Sequence, residues 1–356
     1  LAIGGVLGVH AGVPYFHAGW LGVDLFFVLS GFLITSLICN EIQTTGRFNF
    51  ISFWRRRALR ILPPYYLYVS IITLLMALGF GTLAELNGYT PRLYVASLWF
   101  YFVNYIPQGS IWTHQMLTLH LWSLAVEEQF YLLWPLLFIC FRSVRQMLIV
   151  SVLLTIGVMI LRFDAPLGIL LSRLYTRGLP IFVGCTAALI LAVFRPTLSA
   201  RFTNISLALA AISTIVMALL YSFHKLPEEQ AHRIAVPILV FTYAMMISGL
   251  WSCRSGHAGR ILTAAPLVYI GKISYGIYLY HMAFHELTWK VLLVGIDQWP
   301  SVIKFPIRLL TFLTLSIGVA ALSHHFFEKP FLRLKNRFRP AVDPVQAIQP
   351  LAACDR

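Results

Sequence analysis

Long apolar runs, each closed by a short polar stretch, recur along the whole chain. They fall at 1–15, 19–39, 61–80, 93–106, 120–141, 147–161, 179–194, 203–222, 234–251, 265–289 and 306–327. Most approach the roughly 20 residues an α-helix needs to cross a hydrocarbon core. Membrane-spanning strands would be shorter and would alternate apolar with polar positions. The pattern therefore predicts an all-α, polytopic transmembrane helix bundle. One run stands apart: 93–106 is short, is preceded by Arg92 and is interrupted by Asn104 and closed by Pro107. It predicts a re-entrant or interfacial segment and leaves about ten spans.

Basic residues set the orientation. If 93–106 does not cross, 17 of the 27 lysines and arginines share the side of loop 40–60 and of the C-terminal tail. Nine fall on the other side and Lys272 stays within a span. Cytoplasmic loops carry the excess of Lys and Arg, which predicts both termini in the cytoplasm of a bacterial inner membrane. Composition agrees: 59% hydrophobic residues, 11% charged and a mean hydropathy of +0.77. A net charge of +14 in a soluble chain would suggest nucleic acid. In a membrane chain it is better matched to anionic lipid headgroups and an anionic substrate, so membrane lipids are expected partners and nucleic acid is not. The five cysteines are scattered, with neither metal-ligand spacing nor a disulfide framework, and no metal is expected. Residues 1–339 read as one membrane domain, and 340–356 as a short Pro-containing cytoplasmic tail.

Polar residues inside apolar runs carry the chemistry, because ionisable groups in a membrane are costly. At the mouth of the third run, residues 53–63 read FWRRRALRILP. Arg57 and Arg60 are three apart, and Arg56 and Arg60 four, so on a helix they share a face. Such a cluster marks the cytoplasmic side in any case. Guanidinium forks also suit phosphates, which makes Arg56, Arg57 and Arg60 candidate ligands of a phosphorylated substrate. His10 lies near the outer end of the first span, where it is either an interfacial histidine or a reactive group. Asp24 opens the second span and calls for a buried partner, as an ion pair or a cap.

In residues 119–131 (LHLWSLAVEEQFY), helical spacing places His120, Ser123, Glu127, Tyr131 and Trp134 on one stripe. Glu128 shares its face with Leu121, Leu124 and Leu132, so it is expected to face the membrane boundary or a structural partner. A second stripe, Ser274, Tyr278, His281 and His285, gives one wet face to an otherwise apolar span. Either stripe alone is explained by helix-to-helix hydrogen bonding. Together they imply a polar cavity within the bundle.

In this order, residues 22–32 (GVDLFFVLSGF), 53–66 (FWRRRALRILPPYY), 121–135 (LWSLAVEEQFYLLWP), 273–281 (ISYGIYLYH) and 327–330 (FEKP) resemble the acyltransferase-3 family of multi-pass membrane acyltransferases. The resemblance implies an O-acetyltransferase with acetyl-coenzyme A as donor. It implies as acceptor a carbohydrate or glycolipid of the cell envelope, such as lipopolysaccharide O-antigen or an exopolysaccharide. It places the family's first-span histidine on His10, its Arg-x-x-Arg pair on Arg57 and Arg60, and its WSL-segment glutamate on Glu127. The basic residue the family usually carries eleven positions before the histidine would precede Leu1.

On this reading His10 and Glu127 are the catalytic pair. His10 acts as general base or transient acyl carrier, and Glu127 orients it if their spans pack together. Arg57 serves the phosphates or the developing oxyanion. Asp24, Ser123, Tyr131, Ser274, Tyr278 and His281 form a supporting polar network. A secondary transporter or flippase of a glycolipid or anionic substrate is the competing class. Against it, the sequence lacks the paired Gly/Pro-broken spans that inverted repeats would leave. Aromatics of the outward loops (Tyr89, Trp99, Tyr101, Trp112, Tyr175) are expected to anchor at the interface or stack on sugar rings.

Overall fold

In the computed structural model of the chain, residues 1–13, 17–78, 91–106, 117–141, 143–223, 225, 227–253 and 257–338 are described. The tail 340–356, Tyr89 and Trp112 lie outside them. The described elements are all helical. Twelve carry the architecture: α1 (Ala2–His10), α2 (Leu21–Thr45), α3 (Phe50–Ala77), α4 (Pro91–Trp99), α5 (Leu121–Cys140), α6 (Val144–Asp164), α7 (Leu179–Phe194), α8 (Ala200–Ser222), α9 (Val236–Ser252), α10 (Ala265–Leu287), α11 (Ser301–Leu322) and α12 (Lys329–Lys335). Among the described residues, seven helical stretches are long and apolar enough to cross a membrane. They contain α2, α3, α5, α6, α8, α9 and α11. The shorter α1, the 16-residue α7 and the polar-striped α10 occupy the other three expected segments.

The segment near 93–106 does not cross. Its helix α4 has nine residues, about 13.5 Å of rise against a hydrocarbon core of about 30 Å. The chain then turns through Tyr101, at a positive φ of 56°, into a short 3₁₀ turn at Val103–Tyr105. Hydrogen bonds dock it inside the bundle: the Tyr65 hydroxyl donates to the Leu98 carbonyl at 2.7 Å, and the Gln129 amide to that of Tyr101 at 2.8 Å. Tyr101 stacks on Tyr65 and Trp99 on Tyr66. These two aromatics therefore pack inward and are not available as a sugar platform, whereas Tyr175 is exposed.

Local signals set the helix ends. Gly46 closes α2 in the left-handed conformation (φ 73°), its N–H donating to the Ile42 carbonyl. The Asn49 side chain then caps α3 by accepting from the Ser52 N–H at 2.9 Å. This cap starts α3 eleven residues before the apolar run, so the arginine cluster is helical rather than part of a loop.

The buried core divides into two clusters that share α2 and α7 as a common wall. One joins α1–α5, α10 and α11; the other joins α8 and α9. The wall is close because glycines face backbone. A Cβ on Gly31 would stand 2.0 Å from the Ile181 carbonyl oxygen, and one on Gly184 2.1 Å from that of Val28. Small residues permit such contact between membrane helices, where lipid supplies no hydrophobic drive. Elsewhere α8 turns Ile205, Ile212, Ile215 and Leu219 outward, an apolar face that only lipid satisfies.

Gly184→Ala is expected to force α2 and α7 apart and cost about 1–3 kcal/mol. A lowered thermal midpoint of the purified protein in detergent checks it; an unchanged midpoint would show that the wall can relax.

Candidate functional site

Two helices bring the polar stripes together. His120, just before α5, lies against α10: its Nε2–H donates to the Leu279 carbonyl at 2.9 Å. On α10 itself, His281 Nδ1–H donates to the Tyr278 carbonyl at 2.6 Å. A backbone carbonyl only accepts, so each bond assigns a tautomer to a neutral ring. The remaining ring nitrogens, His120 Nδ1 and His281 Nε2, are buried and have no hydrogen-bond partner. The ring centroids of these two histidines are 5.0 Å apart, and that of His10, at the end of α1, is 5.1 Å from His281. Tyr278 completes the cluster. Its hydroxyl pairs with the Ser123 hydroxyl and lies 3.2 Å from the His120 carbonyl, to which Ser123 also donates at 2.9 Å. The stripes thus meet in a packed histidine centre that joins three segments. Among the described residues no set of three His, Cys, Asp or Glu side chains converges as a metal site requires.

Glu127 lies elsewhere. It accepts from the Ser30 hydroxyl at 2.6 Å, and the Tyr131 hydroxyl in turn donates to Ser30 at 3.1 Å. Arg57 is clasped between the rings of Phe53 and Tyr131, at 5.8 and 5.1 Å, with Glu127 and Glu128 as electrostatic neighbours. Glu127 is thus a member of the polar cluster beside Arg57, and no contact joins it to His10 among the described residues. Glu128 has structural neighbours, one of its two expected alternatives: Arg57 and the tyrosines 65, 66, 101 and 275 lie within electrostatic reach of it.

The arginines divide. Arg56 is drawn away to Glu41 (3.5 Å), the Ser52 hydroxyl (2.8 Å) and the Phe338 carbonyl (2.7 Å), a clasp that ties α2, α3 and the segment after α12 together. Arg60 instead lines an open cleft of about 390 Å³ with Lys272, Lys329, Arg333 and Lys335; Tyr275, His324, Glu328 and Leu332 complete its wall. A π-helical segment, Ser323–Glu328, delivers His324 and Glu328 to this wall, where Glu328 accepts from Ser323 at 3.1 Å. Of these basic residues only Arg60 was singled out from the sequence. Lys272 was legible as an ionisable group left within a span, while α12 meets α3 only through the tertiary fold.

Helix α10 links cleft and histidine centre. Lys272 and Tyr275 line the cleft, and Tyr278 and His281 belong to the centre, at steps of three residues. Nine residues separate Lys272 from His281, a rise of about 13.5 Å. Ser274 takes no part: its hydroxyl donates to the Gly271 carbonyl of its own helix at 2.9 Å. Asp24 is fully buried and paired with Arg177 at 3.1 Å, the ion pair its position called for. Arg177 also lies 5.6 Å from the Trp122 ring, one residue from Ser123.

Residues 1–324 match the family model described as an acyltransferase domain. The chain is 29% identical to YrhL of Bacillus subtilis over 92% of its own length and 53% of the relative's. It is 28% identical to the peptidoglycan O-acetyltransferase OatA of Listeria monocytogenes, over 93% of its length and 54% of the relative's. To the O-acetyltransferase OatA of Staphylococcus aureus it is 29% identical, over 92% and 55%. The chain spans about half the length of these curated relatives. No solved structure matches it significantly.

Asp24→Asn would leave Arg177 as an uncompensated buried charge, an expected cost of about 3–5 kcal/mol. Loss of monodisperse protein on size exclusion, or a large fall in thermal midpoint, checks this; a variant as stable as wild type would show that the pair is not structural.

Proposed function

The chain belongs to the acyltransferase-3 family, and on that premise we propose that it is a membrane O-acyltransferase. It moves an acetyl or other short acyl group from a coenzyme A thioester to a hydroxyl of a cell-surface glycan. One observation carries the reading: a phosphate-suited cleft and a histidine centre lie on one helix, about 13.5 Å apart. Arg60, Lys272, Lys329, Arg333 and Lys335 bind the phosphates of acetyl-coenzyme A through charge-assisted hydrogen bonds. The excess of Lys and Arg on this side of the bundle supports a cytoplasmic cleft, where the donor is made. The acyl-bearing arm passes Tyr275 and follows α10 inward.

At the histidine centre the acceptor oxygen attacks the thioester carbonyl, the new C–O bond forms and the C–S bond breaks. His10 takes the hydroxyl proton as general base and returns it to the departing thiolate. Arg57 is absent from the cleft wall and sits beside the interior carboxylates, apart from the histidine centre, so it is not counted among the phosphate ligands. The Phe53 and Tyr131 rings hold Arg57, and Glu127 with Ser30 completes the polar cluster beside it. The acceptor enters from the side of α1's C-terminus, opposite the cleft. Two relatives named O-acetyltransferases, one for peptidoglycan, support a wall glycan over a lipopolysaccharide as the first acceptor to test.

Purified protein in detergent, given labelled acetyl-coenzyme A and peptidoglycan fragments or soluble surface polysaccharide, should release free thiol and label the glycan. A transporter would do neither outside a membrane. His10→Ala is expected to lower turnover by about 10²–10⁴-fold with the protein still folded; more than a tenth of wild-type activity would remove His10 from the mechanism. Arg60→Ala should raise the KM for acetyl-coenzyme A by about 10–100-fold with kcat nearly unchanged, the worth of one charged hydrogen bond. The reverse pattern would move Arg60 from donor binding to the transition state.

A further inference from the structure

We propose that His281 is the positioning residue for His10, accepting the imidazole N–H of His10 on its own Nε2 and so presenting the opposite nitrogen of His10 as the base. The inference rests on the reading of His10 above and assigns the partner that Glu127 does not supply.

Three observations carry it. His281 cannot turn its donor toward His10, because Nδ1–H is committed to the Tyr278 carbonyl at 2.6 Å. Its other nitrogen is then a lone pair, fully buried and without a partner. A buried acceptor without a partner is costly, more so in a low dielectric, and calls for a donor. The neighbouring ring is His10, 5.1 Å away between centroids and tilted by 54°. His10 is only half-buried, and no hydrogen bond to another described residue holds it. A neutral imidazole has one N–H to give and one lone pair to use. Rotation of the His10 side chain toward His281 closes the bond, as catalytic hydrogen bonds tighten when substrate binds.

The other titratable groups facing this pair do not compete for the role. His120 is locked by the Leu279 carbonyl and its Nδ1 is likewise without a partner, but the ring against which His10 lies is that of His281. His285, one turn further along α10, stacks on Trp289, with its Nδ1 3.6 Å from Glu286, which Lys290 holds. Tyr278 is engaged with Ser123 and the His120 carbonyl. His281 therefore plays toward His10 the part that an aspartate plays in a hydrolytic triad, as a neutral acceptor. No proton leaves His281 in the cycle. The hydroxyl proton passes to His10 and then to the thiolate, while the His10–His281 bond fixes which nitrogen receives it.

The test separates acceptor chemistry from packing. His281→Phe fills the site without an acceptor, whereas His281→Asn keeps an acceptor oxygen but packs worse. His281→Phe is expected to lower kcat about 10²-fold or more at unchanged KM for acetyl-coenzyme A, and His281→Asn to recover at least about tenfold of that loss despite a lower thermal midpoint. A Phe variant within a few-fold of wild type, or an Asn variant no better than Phe, would overturn the proposal. In the wild-type protein, ¹⁵N spectra of labelled histidine should show His281 as the Nδ1–H tautomer; the Nε2–H tautomer sinks it regardless of how the variants fold. Should His10→Ala stay active, the function itself is wrong. Should His10→Ala be dead and His281→Phe active, only this inference fails.

Discussion

A polar atom carried into hydrocarbon must find its partner inside the protein, and this constraint organises the bundle. The partners come from three sources. Opposite charges meet where full burial leaves no alternative, as Asp24 meets Arg177. Hydroxyls bridge helices, as Ser30 does between Tyr131 and Glu127. Helix carbonyls lend a second lone pair, and those of Tyr278 and Leu279 hold two imidazoles. The last arrangement has a consequence for chemistry: it uses up one nitrogen of each ring and leaves the other unmet at the centre.

A rigid rod then sets the distance over which the molecule works. Helix α10 presents cations at one end and imidazoles nearer the other, and its rise per residue fixes their separation. The cleft end is completed by α12, delivered through a π-helical segment and tied by the Arg56 clasp across α2, α3 and Phe338. The histidine end is completed by α1 and the start of α5. On the proposed function, a long, flexible thioester with a phosphorylated head and a reactive tail fits such a two-ended site.

Much of this was legible along the chain. The apolar runs located the helices because lipid demands continuous hydrophobic length, and the weak run 93–106 correctly marked the segment that does not cross. The start of α3 was missed because Asn49 caps the helix before its apolar stretch begins, while arginine, alanine and leucine are all good helix formers. Helical phase placed His120, Ser123 and Tyr278 together correctly. It did not anticipate that a docked non-crossing segment would cover a second face of α5, where Gln129 bonds to Tyr101. Arg56 was drawn off by Phe338, 282 residues away, which no local pattern announces. Ser274 bonds to its own helix, a local option open to any serine on a helical stripe.

The separation of charge from chemistry explains why a histidine rather than a carboxylate neighbours His10. A carboxylate there would be an ion in low dielectric with no counter-charge until the reaction supplied one, and the desolvation cost would fall on the resting state. The charged side chains of the interior are instead gathered at Asp24–Arg177, at Glu41–Arg56 and around Arg57. The histidine centre is left with rings that are neutral in their carbonyl-bonded tautomers, which are cheaper to bury and still able to accept an N–H. A neutral acceptor stabilises an imidazolium less than an aspartate does. On the proposed mechanism it also leaves His10 readier to surrender its proton, which the thiolate departing from the thioester would need back.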